Sequence, residues 1–254
     1  MSASPPEGLF VGFIPDGNRR EIAAKLTAER GSVTTSAQLD YPQLVEAYTK
    51  GAEAIKKIIE AARDSSVGIL ALYGWSQANM AHRGEKERTS AFAVIKGFLT
   101  EWEEYWIDSP DNQDVRLVHM GRRDRLREKD PEFLEQIERI SHETRDRTGM
   151  AVALSIDYDG LQEIEDALGR TTGCREGWTQ YLDLPRQGVP YKKVDLIIRT
   201  GETSNVVHDN AYLHGYRGGN TRFLFTPLSL HQYSGDQFVT DLQQFNGQEK
   251  RSGQ

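Results

Sequence analysis

Short, continuously apolar segments alternate along this chain with longer segments of helical periodicity, such as residues 41–62. Strands that are apolar throughout have both faces covered, and such strands form parallel sheets with helices on either side. The sequence therefore predicts an α/β fold with a parallel six-stranded sheet flanked by helices. The predicted strands are residues 9–14, 68–76, 115–121, 150–160, 194–201 and 222–228, and the predicted helices are residues 41–62, 90–106, 130–147 and 236–246.

One polar stretch, residues 25–40, interrupts this alternation and shows no periodic apolar face. We expect a mobile loop there, and a loop that follows the first strand and its turn is placed to act as a lid over a site.

Composition limits the class of protein. The 254 residues contain no Pro/Gly/Ser-rich seam, which favours a single domain over residues 1–254. A net charge of -7 argues against a nucleic-acid partner, and the longest apolar stretch is too short for an integral membrane segment. Cys174 is the only cysteine, so the chain has no intrachain disulfide and no cysteine metal cage. We expect a cytoplasmic protein.

Polar side chains directly follow three of the predicted strands. The segment FIPDGNRRE, residues 13–21, closes the first strand, Asn79 and Arg83 follow the second, and Arg199 and Ser204 lie at and just beyond the end of the fifth. In open parallel sheets, ligands bind beyond the carboxyl ends of the strands. Glycine lets backbone N–H groups approach an anion, a helix N-terminus adds positive potential, and arginine forks match phosphate oxygens. These residues predict a phosphate-binding pocket.

Asp16 adds a carboxylate to this predicted pocket. Carboxylate oxygens and phosphate oxygens are the ligands that Mg²⁺ prefers, so the pattern favours a diphosphate bridged by a metal ion. Two simpler interpretations remain open. Asp16-Gly17-Asn18 is also a common turn sequence, and Arg199 is equally suited to capping a strand end.

Other charged residues are left out of the site. The arginines within residues 122–125 and 145–147 flank an acidic helix and favour a solvated face. The histidines lack the spacing of a metal site or a catalytic triad, so core or surface roles are expected for most of them: His82, His119, His142, His208, His214 and His231.

In sequence order, these segments resemble the cis-prenyltransferases, of which undecaprenyl diphosphate synthase is the best-known type. The resemblance covers nearly the whole chain and includes the tail, Arg251-Ser252-Gly253, which is similar to the Arg-x-Gly signature of the family. The segments that carry it are FIPDGNRRE, LALYGWSQANMAHR, VRLVHMGRRDRL, ALSIDYDG and VDLIIRTG.

The resemblance implies an enzyme that joins isoprenyl diphosphates with the help of Mg²⁺. It implies that Asp16 binds the metal and assists ionisation of the allylic diphosphate, that Asn79 positions the acceptor or assists proton removal, and that Arg83 holds a phosphate. The implied cradle of the allylic diphosphate is Gly17, Asn18, Arg19 and Arg20. The implied site of the second diphosphate is Arg199 and Ser204 with Arg251 and Gly253 from the other subunit of a homodimer.

Several residues depart from the family pattern around the donor site. Glu21 stands where the family usually has an aromatic residue, and Tyr48 stands where a histidine is often found. The loop after Arg199 carries a longer insert, residues 206–221, in which Arg217 is a candidate to replace a missing arginine. We expect altered donor and acceptor recognition.

A further departure is Arg222, which stands where the family places a metal-binding glutamate before the sixth strand. A guanidinium there repels Mg²⁺ and is able to pair with diphosphate oxygens. This predicts weakened dependence on Mg²⁺. In the alternative, Arg222 points into solvent and Asp209 of the insert is the replacement ligand.

Three functional hypotheses follow. The favoured one is a noncanonical prenyltransferase that couples an allylic diphosphate to another isoprenyl diphosphate in an irregular connection, or to a non-isoprenoid acceptor. The second is an ordinary short- or medium-chain cis-elongating synthase that uses isopentenyl diphosphate. The third is a non-catalytic subunit that supports a catalytic partner, and the intact Asp16-Gly17-Asn18 turn weighs against it.

Overall fold

A computed structural model describes residues 8–65, 67–107, 114–171, 177–202 and 211–247. Within these ranges six strands form one sheet in the order β3-β4-β2-β1-β5-β6, and every neighbouring pair is parallel. The predicted α/β fold is confirmed. The strands are β1 (Leu9–Ile14), β2 (Val67–Ser76), β3 (Arg116–Met120), β4 (Ala151–Tyr158), β5 (Leu196–Arg199) and β6 (Arg222–Phe225).

Helices connect and cover the strands. None of those within the described ranges is long and apolar enough to cross a membrane. A single π-helical turn, Glu103–Ile107, continues the fourth helix. The helices are α1 (Asn18–Arg30), α2 (Tyr41–Asp64), α3 (Gln77–His82), α4 (Glu85–Trp102), α5 (Arg123–Lys129), α6 (Pro131–Glu143), α7 (Gly160–Gly169), α8 (Asp183–Arg186) and α9 (Gly235–Gly247).

The central strand β1 is where the strand order reverses. The chain passes from β1 to β2 on one side and reaches β5 on the other side only after completing β3 and β4. A crevice forms at the carboxyl end of an open parallel sheet where the order reverses in this way. The register brings Phe13 opposite Leu72 and Ile14 opposite Arg199, so polar residues that follow these strands meet in that crevice.

Two apolar layers cover the sheet. One layer contains side chains of α2, α4, α6 and α9 packed against β1 and β2, as the amphipathic pattern of α2 requires. The other contains α7, α8 and the buried rings of Tyr212 and Tyr216. Burial of strands on both faces explains why they are apolar throughout.

The expectation of a loop over residues 25–40 is wrong for its first part. Residues 25–30 continue α1, because Ala23, Ala24 and Leu26 are good helix formers. The helix ends at Gly31, which adopts a left-handed conformation (φ 65°) and donates its N–H to the carbonyl of Thr27 at 3.1 Å. The start of α4 at Glu85 is also earlier than the predicted start at residue 90.

Glu163 is buried in the second layer, and three donors satisfy its carboxylate. Tyr158 and Tyr216 donate their hydroxyls at 2.6 and 2.8 Å, and the backbone N–H of Asp183 donates at 2.8 Å. Burial, with the neighbouring charge of Asp183, raises the pKa of Glu163 to about 7. Burial also raises the pKa of Asp183.

This cluster predicts that the free energy of unfolding falls as the pH rises from about 4.5 to about 7. In that window the unfolded chain has released the Glu163 proton, whose ordinary pKa is 4.5, while the folded chain still holds it until its pKa of about 7. The expected slope is roughly 1.4 kcal/mol per pH unit. Glu163→Gln should reduce this slope, measured by urea unfolding across the pH range.

The matched control is Glu165→Gln, which changes an exposed glutamate of the same helix. It should keep the parental slope. An unchanged slope in Glu163→Gln would assign the pH dependence to other groups.

Candidate active site

A cavity of about 400 Å³ lies between the carboxyl edge of the sheet and helices α1, α2 and α4. Its walls combine polar residues from the ends of β1, β2 and β5 with apolar residues of α2 and α4. The strand-end residues predicted to share one pocket that lie within the described ranges do line this cavity. The sequence-predicted site residues that line it are Asp16, Gly17, Asn18, Arg19, Arg20, Tyr48, Asn79, Arg83 and Arg199.

Asp16 is fixed at the end of β1 by Thr200. The buried Thr200 hydroxyl accepts the N–H of Asp16 and donates to its carbonyl, both at 2.8 Å. The carboxylate uses both oxygens: Oδ1 accepts the N–H of Gly17 at 2.7 Å, and Oδ2 contacts Arg20 at 2.9 Å and Arg199 at 3.0 Å. One carboxylate therefore holds two guanidinium groups at the mouth of the cavity.

Gly17 has a backbone that only glycine adopts easily, with φ 109°. An added Cβ would lie 2.9 Å from Cα of Ser229 and 3.1 Å from Cα of Gly201, so neighbouring backbone also excludes a side chain. Gly17 precedes α1 without any side-chain cap. The first backbone N–H groups of α1 therefore receive no hydrogen bond acceptor from the cap residue and are able to donate to a bound anion, which the N-terminus of a helix attracts.

Glu87 joins a second group of site residues. Its carboxylate contacts the guanidinium of Arg19, lies 2.9 Å from that of Arg83, and accepts the Tyr48 hydroxyl at 3.1 Å. Burial raises the pKa of Tyr48 to about 12. Burial, with the nearby Arg19 charge, lowers the pKa of Arg83.

Sequence reasoning missed Glu87, although a signal was present. Glu87 lies four residues after Arg83, the spacing of a helical ion pair. The helix predicted over residues 90–106 excludes Glu87, so nothing in that prediction indicated helical spacing between Arg83 and Glu87.

The inner half of the cavity is apolar. The register of β2 against β4 shifts around Trp75, and Arg83 covers the Trp75 ring at 4.9 Å. Irregularities of this kind re-aim side chains beside binding sites. Beyond Trp75 the apolar lining is formed by Ile55, Leu72, Ala91, Val94, Ile95, Phe98 and Leu154.

Asn79 and Ser36 complete the lining from two helical segments. Asn79 lies in the first turn of α3 and donates its backbone N–H to the cap residue Ser76 at 2.9 Å. Ser36, from the 3₁₀ turn Ser36–Gln38 that follows α1, also reaches the cavity.

A family model described as putative undecaprenyl diphosphate synthase matches residues 35–253. The chain belongs to this family of prenyltransferases. It is 25% identical to an isoprenyl transferase of Rhodopirellula baltica, over 96% of this chain and 92% of the relative. It is 28% identical to isoprenyl transferase 1 of Bradyrhizobium diazoefficiens, over 98% and 91%.

Solved structures share the fold at lower identity. Lavandulyl diphosphate synthase from Lavandula x intermedia, in complex with dimethylallyl diphosphate, superimposes with a TM-score of 0.75 at 20% identity, over 96% of this chain and 98% of that chain. A probable undecaprenyl diphosphate synthase from Campylobacter jejuni gives a TM-score of 0.70 at 21% identity, over 99% and 100%.

Two further predicted residues of this prenyltransferase, Arg217 and Arg222, make contacts with residues that do not line the cavity. Arg217 donates to the carbonyl of Tyr212 at 2.6 and 3.0 Å and covers the Phe223 ring at 5.1 Å. Arg222 begins β6 and covers the ring of Phe245 at 5.3 Å. Neither is among the residues that line the cavity.

The remaining predicted residues, Ser204, Arg251 and Gly253, lie outside the described residues, as does Asp209. Their roles stay predictions.

The close approach of Gly201 to the Asp16 turn predicts that Gly201→Ala damages the site. Gly201 has φ 66°, and an added Cβ would lie 2.7 Å from Cα of Gly17 and 2.8 Å from the carbonyl of Asp16. The substitution should lower the free energy of unfolding by about 1–3 kcal/mol. It should also weaken the binding of inorganic pyrophosphate, measured by calorimetry, because the turn must shift.

Gly169→Ala is the matched control, since a Cβ there meets nothing within 4 Å. Unimpaired pyrophosphate binding in Gly201→Ala would show that the turn is not part of an anion site.

Proposed function

We propose that this prenyltransferase transfers a short prenyl group from an allylic isoprenyl diphosphate to a second substrate. The acceptor is another isoprenyl diphosphate, in an irregular connection, or a non-isoprenoid molecule. The observation that carries the proposal is one cavity that is lined both by four arginines near the carboxyl edge of the sheet and by apolar side chains of α2 and α4. This arrangement matches an amphiphilic molecule that has a diphosphate head and a hydrocarbon tail.

The cationic end suits a leaving diphosphate. Arg20 and Arg199 lie beside Asp16, and Arg19 and Arg83 lie around Glu87. When the allylic C–O bond breaks, its electron pair leaves with the diphosphate, and preorganised guanidinium groups stabilise the growing negative charge. The acceptor supplies the electron pair of the new bond and then releases a proton.

Asp16 is the residue that would hold Mg²⁺. Among the described residues there is no group of three or more His, Cys, Asp or Glu side chains suited to a metal ion. Mg²⁺ is commonly bound through one or two carboxylates together with substrate phosphates, so the single carboxylate of Asp16 fits a site that the diphosphate completes. When bound, the ion neutralises part of the charge on the leaving group.

The size of the cavity favours a short substrate. A cavity of about 400 Å³ is near the lower end of the range of roughly 300–1,000 Å³ that ligand pockets occupy. The structure that shares this fold and holds dimethylallyl diphosphate is consistent with a short allylic donor. The unusual Glu21 and Tyr48 beside the site support altered recognition of the donor.

An ordinary elongating synthase is the second candidate. The observation that favours it is that Asn79, which the resemblance assigns to positioning the acceptor or assisting proton removal, lines the cavity. In either case the resemblance implies a homodimer whose tail residues, Arg251 and Gly253, enter the neighbouring site.

Mass spectrometry of reaction products tests the proposal. The purified protein is offered dimethylallyl, geranyl or farnesyl diphosphate, with and without isopentenyl diphosphate and Mg²⁺. Regular chain extension only in the presence of isopentenyl diphosphate would select the second candidate. Absence of any prenyl transfer, with or without acceptors, would contradict both.

In the same assay Asp16→Asn should lower turnover by about two to three orders of magnitude, because it removes a transition-state charge partner. The melting temperature should fall modestly, because Arg20 and Arg199 lose an anionic neighbour, but the protein should stay folded, since the backbone contacts of Asp16 remain. Asp64→Asn is the matched control, as its side chain is 67% exposed on α2. Near-parental turnover in Asp16→Asn would overturn the role of Asp16.

We expect the prenyl tail of the donor to end at the side chain of Phe98. Phe98 lines the cavity and also a second groove on the outer side of α2 and α4, and it packs edge-on against Trp102 at 5.8 Å. Phe98→Ala should open the inner end and raise the turnover of farnesyl diphosphate relative to dimethylallyl diphosphate. The ratio of kcat/KM values for the two donors measures the effect.

Val45→Ala is the control, because Val45 lines only the outer groove. An unchanged ratio in a folded Phe98→Ala protein would place the end of the tail elsewhere.

A further inference from the structure

Three polar side chains lie behind the diphosphate end of the cavity without lining it: Glu21, Ser229 and His231. They contact one another and Asn18, which does line the cavity. The reaction steps described above use none of the three.

The side chain of Asn18 is held from two sides. Its Nδ2 donates to the carbonyl of Ala47 at 3.0 Å, and its Oδ1 accepts the backbone N–H of His231 at 3.0 Å. A carbonyl only accepts and an N–H only donates, so these two partners set the orientation of the amide. Gly51 leaves room for it, because a Cβ there would lie 3.0 Å from Nδ2.

His231 in turn is held by Glu21. Nε2 of His231 lies 2.9 Å from Oε1 of Glu21, and the other carboxylate oxygen accepts the Ser229 hydroxyl. Nδ1 of the same ring lies 3.2 Å from Oγ of Ser229 and 3.3 Å from Oδ1 of Asn18. An ionised Glu21 only accepts, so Nε2 carries a hydrogen in this contact.

We propose that the His231 ring, held by Glu21 and with its Nδ1 against Oδ1 of Asn18, is a positioning group that keeps the Asn18 amide and the backbone N–H of His231 in place for the substrate diphosphate. Nδ2 has two hydrogens, and the one not used by Ala47 is left for a phosphate oxygen. Charge-assisted contacts such as that between His231 and Glu21 hold geometry more firmly than neutral ones. This inference rests on the proposed function of the cavity as a diphosphate site.

Calorimetric binding of inorganic pyrophosphate, in the presence of Mg²⁺, tests this role in the full chain. His231→Ala should raise the Kd about tenfold, and Glu21→Ala should raise it to a similar extent. The double variant should be no weaker than His231→Ala alone, because the two residues act as one unit. His231→Gln keeps a donor able to face Glu21 and should recover part of the affinity.

The control is His142→Ala, which removes an exposed histidine of α6 and should leave the Kd unchanged. Circular dichroism checks folding at the assay temperature. If His231→Ala is unfolded there, His231→Gln and Glu21→Ala carry the comparison.

The outcomes separate this inference from the proposed function. Parental affinity in His231→Ala and Glu21→Ala, with only a lower melting temperature, would overturn the positioning role and leave the diphosphate site intact. Additive losses in the double variant would overturn the role of Glu21 as the partner of His231. A parent protein that binds no pyrophosphate and transfers no prenyl group would overturn the proposed function itself.

Discussion

The close backbone packing of the Asp16–Gly17 turn is the constraint on which the rest of the site depends. Thr200 at the end of β5 bonds both backbone polar groups of Asp16, and the backbone of Gly201 and Ser229 leaves no room for a Cβ on Gly17. This packing brings three chain segments, distant in sequence, to one point at the carboxyl edge of the sheet. The carboxylate, the uncapped start of α1 and two arginines are consequently fixed before any substrate arrives.

The arginines of the cavity are oriented by carboxylates of the protein. Asp16 pairs with Arg20 and Arg199, while Glu87 pairs with Arg19 and Arg83. An unpaired charge in a half-buried site would be costly, so each guanidinium retains an anionic neighbour. A diphosphate that enters must share these cations with the carboxylates. In exchange, the cations need little reorganisation when charge develops on the leaving group.

The strands, their parallel arrangement and the cavity lining from Asp16 to Arg20 were predictable, because local apolar pattern and strand-end position determine them. Glu87 was not found, since its relevance depends on where α4 begins, and helix starts are poorly marked when the cap residue is glycine, here Gly84. His231 was assigned no special role because its partners Asn18 and Glu21 are more than 200 residues away in sequence. Contacts of that separation depend on the tertiary fold and leave no local pattern.

The parallel register also places the backbone of Arg222 relative to the strand end that carries Arg199. On β6, Arg222 pairs with Leu196, and Phe225 pairs with Arg199, which lines the cavity. The backbone of Arg222 therefore lies three residues, or about 10 Å along the strand, before Phe225. Its guanidinium covers Phe245 of α9. The expectation of weakened Mg²⁺ dependence relies on this guanidinium reaching the diphosphate, and it stays a prediction for the assay with and without Mg²⁺. Within the described part of the chain, two carboxylates, Asp16 and Glu87, pair with the four arginines of the cavity, so a substrate anion meets cations whose positions the protein has already fixed.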